Sequence, residues 1–77
     1  MTGFTVISQA GFKCPYCEKA VDLLDRKGKS YSIRALDRPE LVEAASAAGM
    51  TTVPIIYHGD VLVGGYEDLT KYLQETL

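Results

Sequence analysis

The feature that most constrains this chain is its pair of cysteines, set three apart in Lys13-Cys14-Pro15-Tyr16-Cys17. Two cysteines scattered over a chain of this length would fall at that spacing roughly one time in forty, so the spacing asks for a chemical reason. Residues three apart on a helix share a face, which brings their Cα atoms into the roughly 4.4–6.8 Å window that a disulfide requires. Pro15 suits the first position of a helix, where its missing N–H goes unused, so a helix is predicted to begin at Cys14 or one residue earlier. The Cys14 sulfur would then face unpaired backbone N–H groups. Those donors, the positive end of the helix dipole and the charge on Lys13 all favour thiolate over thiol and lower the Cys14 pKa. Cys17, one turn further in, lacks most of that help. The expected pair is asymmetric, with an exposed nucleophile, Cys14, in front of a shielded resolving thiol, Cys17.

With 77 residues the chain is expected to form one domain, 1–77, around a small core. Its 47% hydrophobic and 23% charged residues are ordinary for a globular protein that folds throughout. A net charge of −2 gives no electrostatic footprint for nucleic acid or an anionic membrane, and neither partner is expected. The N-terminus carries no basic leader, and no apolar run approaches the length that spans a bilayer. A cytoplasmic protein is expected. In that setting a lone local C-x-x-C reads as redox-active and not as a structural staple.

Phe4 to Ser8 reads as a buried strand that ends at the cysteine loop. From Pro15 to Lys27, the residues Cys17, Ala20, Val21 and Leu24 recur at helical spacing with charges on the other faces, and Gly28 closes the helix. Ser30 to Leu36 suits a second strand, which should lie parallel to the first across the helix. Asp37-Arg38-Pro39-Glu40 resembles a capping box. It opens a helix whose small-residue stripe of Leu41, Ala44, Ala45 and Ala48 should pack closely on a sheet. Ile55 to His58 and Val61 to Val63 flank Gly59-Asp60, the pattern of a type II′ hairpin. Tyr66, Leu69, Leu73 and Leu77 mark a last amphipathic helix.

The order β-α-β-α-β-β-α, with Cys14-Pro15-Tyr16-Cys17, Thr52-Val53-Pro54 and Gly64-Gly65 followed by Glu67-Asp68, resembles the glutaredoxins over the whole length. The resemblance implies an α/β, thioredoxin-like fold: a four-stranded mixed sheet with helices on both faces. It also implies a monomer and a glutathione-dependent thiol-disulfide oxidoreductase acting on protein disulfides and glutathionylated proteins. Glutathione would serve as co-substrate, with no metal and no tightly bound cofactor. Pro54 would be cis and lie beside Cys14, turning the Val53 backbone outward to pair with an extended peptide such as glutathione. Thr52 and Gly65 belong to the same groove, and Tyr16 would form one of its walls. By resemblance, backbone N–H groups near Tyr66 and Glu67 would take the γ-glutamyl carboxylate at a helix N-terminus. The family usually places two aspartates after a cysteine or serine here, so either Glu67 or Asp68 could hold the α-amino group. Lys13 and Arg38 are the candidate cations for the glycyl carboxylate.

Two further functions belong to similar chains. One is a small redoxin reduced by a flavin reductase and supplying ribonucleotide reductase; the other is a carrier in which two subunits hold an iron–sulfur cluster through the front cysteine and glutathione. The Pro-Tyr between the cysteines and the acidic turn after Gly65 favour the glutathione enzyme. A zinc site would need four ligands, and His58, the single histidine, is distant in sequence from the cysteines and reads as a solvated strand end. Tyr31, Tyr57 and Tyr72 read as core or half-core aromatics.

Overall fold

Strand β1 (Phe4–Gln9) is an inner strand of the sheet and decides where everything else lies. In the computed structural model, which describes residues 3–11 and 13–75, it is followed by α1 (Pro15–Arg26), β2 (Tyr31–Leu36), α2 (Arg38–Ala48), β3 (Ile55–His58), β4 (Val61–Gly64) and α3 (Tyr66–Glu75). The sheet order is β2-β1-β3-β4, with β2 parallel to β1 and both other pairings antiparallel. The expected order of elements is therefore the observed one. Leu77, expected to end the last helical stripe, lies outside the described residues.

The helices start and stop where local chemistry says they should. Cys14 is the N-cap of α1, with Pro15 at the first helical position. After α1 the Lys29 N–H reaches back to the Leu24 carbonyl (2.9 Å) and the Gly28 N–H to that of Asp25 (3.1 Å), which closes the helix in a Schellman turn. The Asp37 carboxylate caps α2 by accepting the Glu40 N–H at 3.1 Å. Gly59 sits at φ +64° and no non-glycine residue among the described residues, Asp60 included, has positive φ, as a two-residue type II′ loop between β3 and β4 requires.

Alternation along β1 sends Phe4 and Val6 to one face of the sheet and Ile7 to the other. On the first face they form one buried cluster with Ile56, Ala20 and Leu24 of α1, and Leu69 and Leu73 of α3. On the other face Ile7 pairs in register with Ile55, and both are buried. Here α2 is a lighter cover than its stripe suggests: Leu41, Ala44, Ala45 and Ala48 are only half-buried, and no residue of α2 is fully buried. Strand β2 lies at the sheet edge and has no buried residue; Ile33 on it is 55% exposed.

His58 is not a solvated strand end. The β1–β3 register places it opposite Phe4, whose ring it stacks on with 4.2 Å between centroids and 7° between planes. Its Nδ1 lies 2.6 Å from the Tyr72 hydroxyl, and the Tyr72 ring meets Phe4 edge-on at 6.0 Å. Tyr31, Tyr57 and Tyr72 are all half-buried, as expected.

Leu24 has no exposed surface and sits at the centre of the α1–β1–α3 contact. Leu24→Ala is expected to lower the free energy of unfolding by about 2–5 kcal/mol, a large part of what a domain this small has, as read from urea denaturation. Val42, 60% exposed on α2, serves as the control, and Val42→Ala should stay within about 0.5 kcal/mol of the parent.

Candidate active site

Strand register explains how three motifs distant in sequence reach one place. Ile7 of β1 pairs with Ile55, so the chain leaving β1 toward the cysteines runs past Pro54 and Val53, just before β3. Ile56 pairs with Gly64, so the chain leaving β4 also emerges beside Pro54. The C-terminal ends of β1 and β4 thus meet the N-terminal end of β3 at one end of the sheet. There α1 and α3 begin, each presenting unpaired backbone N–H groups.

Cys14 and Cys17 are joined as a disulfide, with Cα atoms 5.2 Å apart. The Cys17 N–H donates to the Cys14 sulfur at 3.1 Å, so the sulfur acts as the side-chain cap of α1. Cys14 is not the more exposed of the two: in the disulfide they are 7% and 8% exposed, with the Cys14 sulfur set against the helix end. The asymmetry of the pair lies in that hydrogen bond and in the helix terminus, not in access.

The Val53–Pro54 peptide is cis. Thr52, Val53 and Pro54 form one side of a depression of about 270 Å³ whose other side is Gly65, Tyr66, Glu67 and Asp68, with Tyr16 and Met50 completing it. Tyr16 and Tyr66 lie 6.1 Å apart, tilted by 42°, and the Lys19 ammonium sits 5.1 Å from the centre of the Tyr16 ring. Lys19 and Met50 were not among the expected site residues. Lys19 stands three residues after Tyr16, the spacing that puts two side chains on one helix face, and Met50 sits just before Thr51-Thr52.

The two acids of this turn have different surroundings. The Asp68 carboxylate accepts the Gly65 N–H at 3.2 Å, reaching back to the start of α3 as the third residue of a capping box does. Gly64, at φ +117°, lies directly under it, and a Cβ at position 64 would run into the Asp68 side chain. Glu67 is exposed beside it, on the depression.

The two expected cations lie elsewhere. Lys13 lines a separate groove of about 390 Å³ along α1, which also borders both cysteines but is rimmed by Glu18, Asp22 and Asp25. Arg38 is exposed in the first turn of α2, one turn before Leu41. Asp25 of that rim accepts the Tyr31 hydroxyl at 3.1 Å, and the Tyr31 phenol is held above its ordinary pKa, first by burial and then by this hydrogen bond. Asp22 pairs with Arg26 at 2.6 Å, which raises the Arg26 pKa; both partners are largely exposed, so the pair contributes little to stability. A further depression, of about 470 Å³, opens from Cys14 toward Leu41 and Ala45 of α2.

No helix among the described residues is long and apolar enough to cross a membrane. A dithiol at a helix N-terminus, able to cycle between disulfide and thiols, is the chemistry of thiol–disulfide exchange. Comparison with known proteins agrees. The glutaredoxin family model matches residues 4–63. A glutaredoxin of Pseudomonas aeruginosa is 52% identical over 58 residues, covering 73% of this chain and 69% of that one. Among solved structures, a glutaredoxin from Brucella melitensis is 37% identical, with a TM-score of 0.70 over 97% of this chain and 82% of that one. A buckwheat glutaredoxin in complex with glutathione shares the fold, with a TM-score of 0.78 over 97% of this chain and 71% of that one at 24% identity. The chain belongs to the glutaredoxin family, the thiol–disulfide oxidoreductases of this fold.

Proposed function

We propose that this glutaredoxin uses glutathione as its electron source and reduces protein disulfides and glutathionylated proteins in a reducing compartment, the cytoplasm. The observation that carries this reading is the depression formed by Tyr16, Thr52, Val53, Pro54 and the start of α3, which shares Tyr16, Thr52 and Val53 with the depression that Cys14 lines. It offers what a γ-glutamyl group asks for: N–H donors at a helix N-terminus for its carboxylate and an acid for its amine. Asp68 is already engaged by the Gly65 N–H, so Glu67 is assigned to the amine. Lys13 and Arg38 receive no part in glutathione binding, since neither borders this depression.

In the reduced protein the Cys17 N–H and the positive end of α1 favour a thiolate on Cys14. That thiolate attacks the glutathionyl sulfur of a mixed disulfide. A bond forms from Cys14 to glutathione, and the protein thiolate leaves with the electron pair and takes a proton from solvent. A second glutathione thiolate then attacks the sulfur held on Cys14, giving glutathione disulfide and the free Cys14 thiolate. On a protein disulfide, Cys14 first becomes joined to the protein. Cys17 then attacks the Cys14 sulfur, releases the protein as a dithiol and leaves the Cys14–Cys17 disulfide, which two glutathiones reduce.

The direct test is a coupled assay comparing glutathione plus glutathione reductase with thioredoxin reductase as the electron source. Rapid turnover with the first and none with the second is expected; the reverse would place the chain with redoxins served by a flavin reductase. Cys17→Ser is expected to keep most activity on glutathionylated substrates and lose most on protein dithiol targets, with a Cys14–glutathione adduct visible by intact mass. Loss of both activities in a folded variant would sink the glutathione route.

Glu67→Ala should raise the KM for glutathionylated substrates roughly tenfold or more, the size of a lost charged hydrogen bond, with little change in stability. Asp68→Ala should instead lower stability by about 0.5–2 kcal/mol, as the loss of a helix cap does. An unchanged KM in Glu67→Ala would refute the assignment of the amine.

A further inference from the structure

The groove along α1, of about 390 Å³, takes no part in glutathione binding, yet it reaches both cysteines. Cys14, Cys17, Glu18, Val21, Asp22 and Asp25 line it at helical spacing, so one stripe of α1 runs unbroken from the dithiol into a row of carboxylates. The facing wall is the sheet, where Val6 and Ile33 are register partners and so point the same way. Strand β2 is an edge strand, and Ile33 on it is 55% exposed. Val21 and Ile33 thus give the groove an apolar floor under an acidic rim. Asp22 is engaged by Arg26 and Asp25 by the Tyr31 hydroxyl. Glu18, next to Cys17, has no hydrogen-bond or salt-bridge partner among the described residues. The one cation of the lining, Lys13, adjoins Cys14; past Cys17 every charged group of the lining is an acid.

Glutathione is a net anion, and this rim repels it. Cys14 is the one residue that the groove shares with the two depressions on the other flank, so a ligand can lie here while those are filled. Exchange with a polypeptide disulfide runs through both cysteines: the Cys14 thiolate bonds to one peptide sulfur and the other leaves as thiolate. Cys17 then attacks the Cys14 sulfur, and the peptide departs as a dithiol while Cys14 and Cys17 become the disulfide. Throughout, the chain flanking the attacked sulfur is tethered at the head of the stripe. From Cys17 to Asp25 the stripe runs about 12 Å, the reach of three to four residues of extended chain. A lysine or arginine at that distance lays its aliphatic stem on Val21 and Ile33 and brings its charge to Glu18 and Asp22, where an acid would meet like charge. Resting on the reading above only in taking polypeptide disulfides as substrates, we propose that the α1 groove is the docking site for the substrate polypeptide. It selects targets that carry lysine or arginine within about four residues of the disulfide.

The test is a single turnover of the reduced full chain, without glutathione, on three short peptides, each closed by one disulfide between its two cysteines. Lysine, glutamine or glutamate occupies the second and third positions outward from those cysteines. Each rate constant, read by acid quench and mass, is divided by that for dithiothreitol on the same peptide, which removes the peptide's own reactivity. At low ionic strength the normalised rate for lysine should exceed that for glutamate at least roughly tenfold, with glutamine between, as an attraction exchanged for a repulsion implies. Glu18→Lys should bring that ratio to one or below, and Asp22→Asn should lower it at least roughly threefold, each variant checked for fold by circular dichroism. Either suffices if the other fails to fold. Glu43→Gln removes one acid from the exposed face of α2, outside the groove, and should leave the ratio as in the parent. Equal normalised rates, no reaction with any peptide, or a ratio that survives a folded Glu18→Lys would overturn the docking site. So would an equal fall in Glu43→Gln, which would make the preference a matter of net charge. The glutathione reading is tested apart, by turnover of the mixed disulfide of glutathione and 2-mercaptoethanol with glutathione and glutathione reductase. No turnover there would overturn that reading and leave the docking site standing on the peptide rates.

Discussion

The 3.1 Å hydrogen bond from the Cys17 N–H to the Cys14 sulfur is the contact that the rest of the molecule serves. It exists only while the first turn of α1 is held in place at the end of β1. Pro15 starts that turn, and Ala20 and Leu24 anchor the helix one and two turns later in the cluster with Phe4, Val6, Leu69 and Leu73. A helix that slid along its axis would lose apolar burial at both residues at once. The donor that meets sulfur in the disulfide meets a thiolate after reduction, and hydrogen bonds to charged acceptors are the stronger kind. The fold thus stabilises the leaving and attacking form of one sulfur with groups that any helix of this length would leave unpaired.

Local chemistry was legible in the residues, and distance across the fold was not. The helix ends could be read because their signals are local: Cys14-Pro15, Gly28, Asp37 with Glu40, Gly49. The hairpin could be read from Gly59-Asp60 for the same reason. The meeting of Thr52-Val53-Pro54 with Tyr66, Glu67 and Asp68 came from resemblance; the physical cause is register, Ile56 against Gly64, which no local pattern reveals. Lys13 shows the limit. It adjoins Cys14 in sequence, yet its side chain belongs to the acidic groove on the opposite flank, because successive residues at a helix start point in different directions. His58 shows it again: its partners Phe4 and Tyr72 lie far from it along the chain.

The mouth of the dithiol is divided by charge. On one flank Glu18, Asp22 and Asp25 rim the groove along α1, on another the start of α3 offers N–H donors with Glu67, and between them the α2 side is neutral. Tyr16, Thr52 and Val53 form a shared wall between the α2 side and the start of α3, so a change at any of them alters both depressions at once.

Phe4, near one end of the chain, and Tyr72, near the other, meet over His58 at the end of the sheet away from the cysteines. The start of β1 and the last turns of α3 are therefore held together, at the pole opposite the exchange site. A second folded unit joined at either end, or a host chain into which this domain was spliced, would stand behind it with the dithiol left clear. The aromatic clasp thus lies at the far end of the sheet from the working face, where anything that leaned on it would not compete with the dithiol for space.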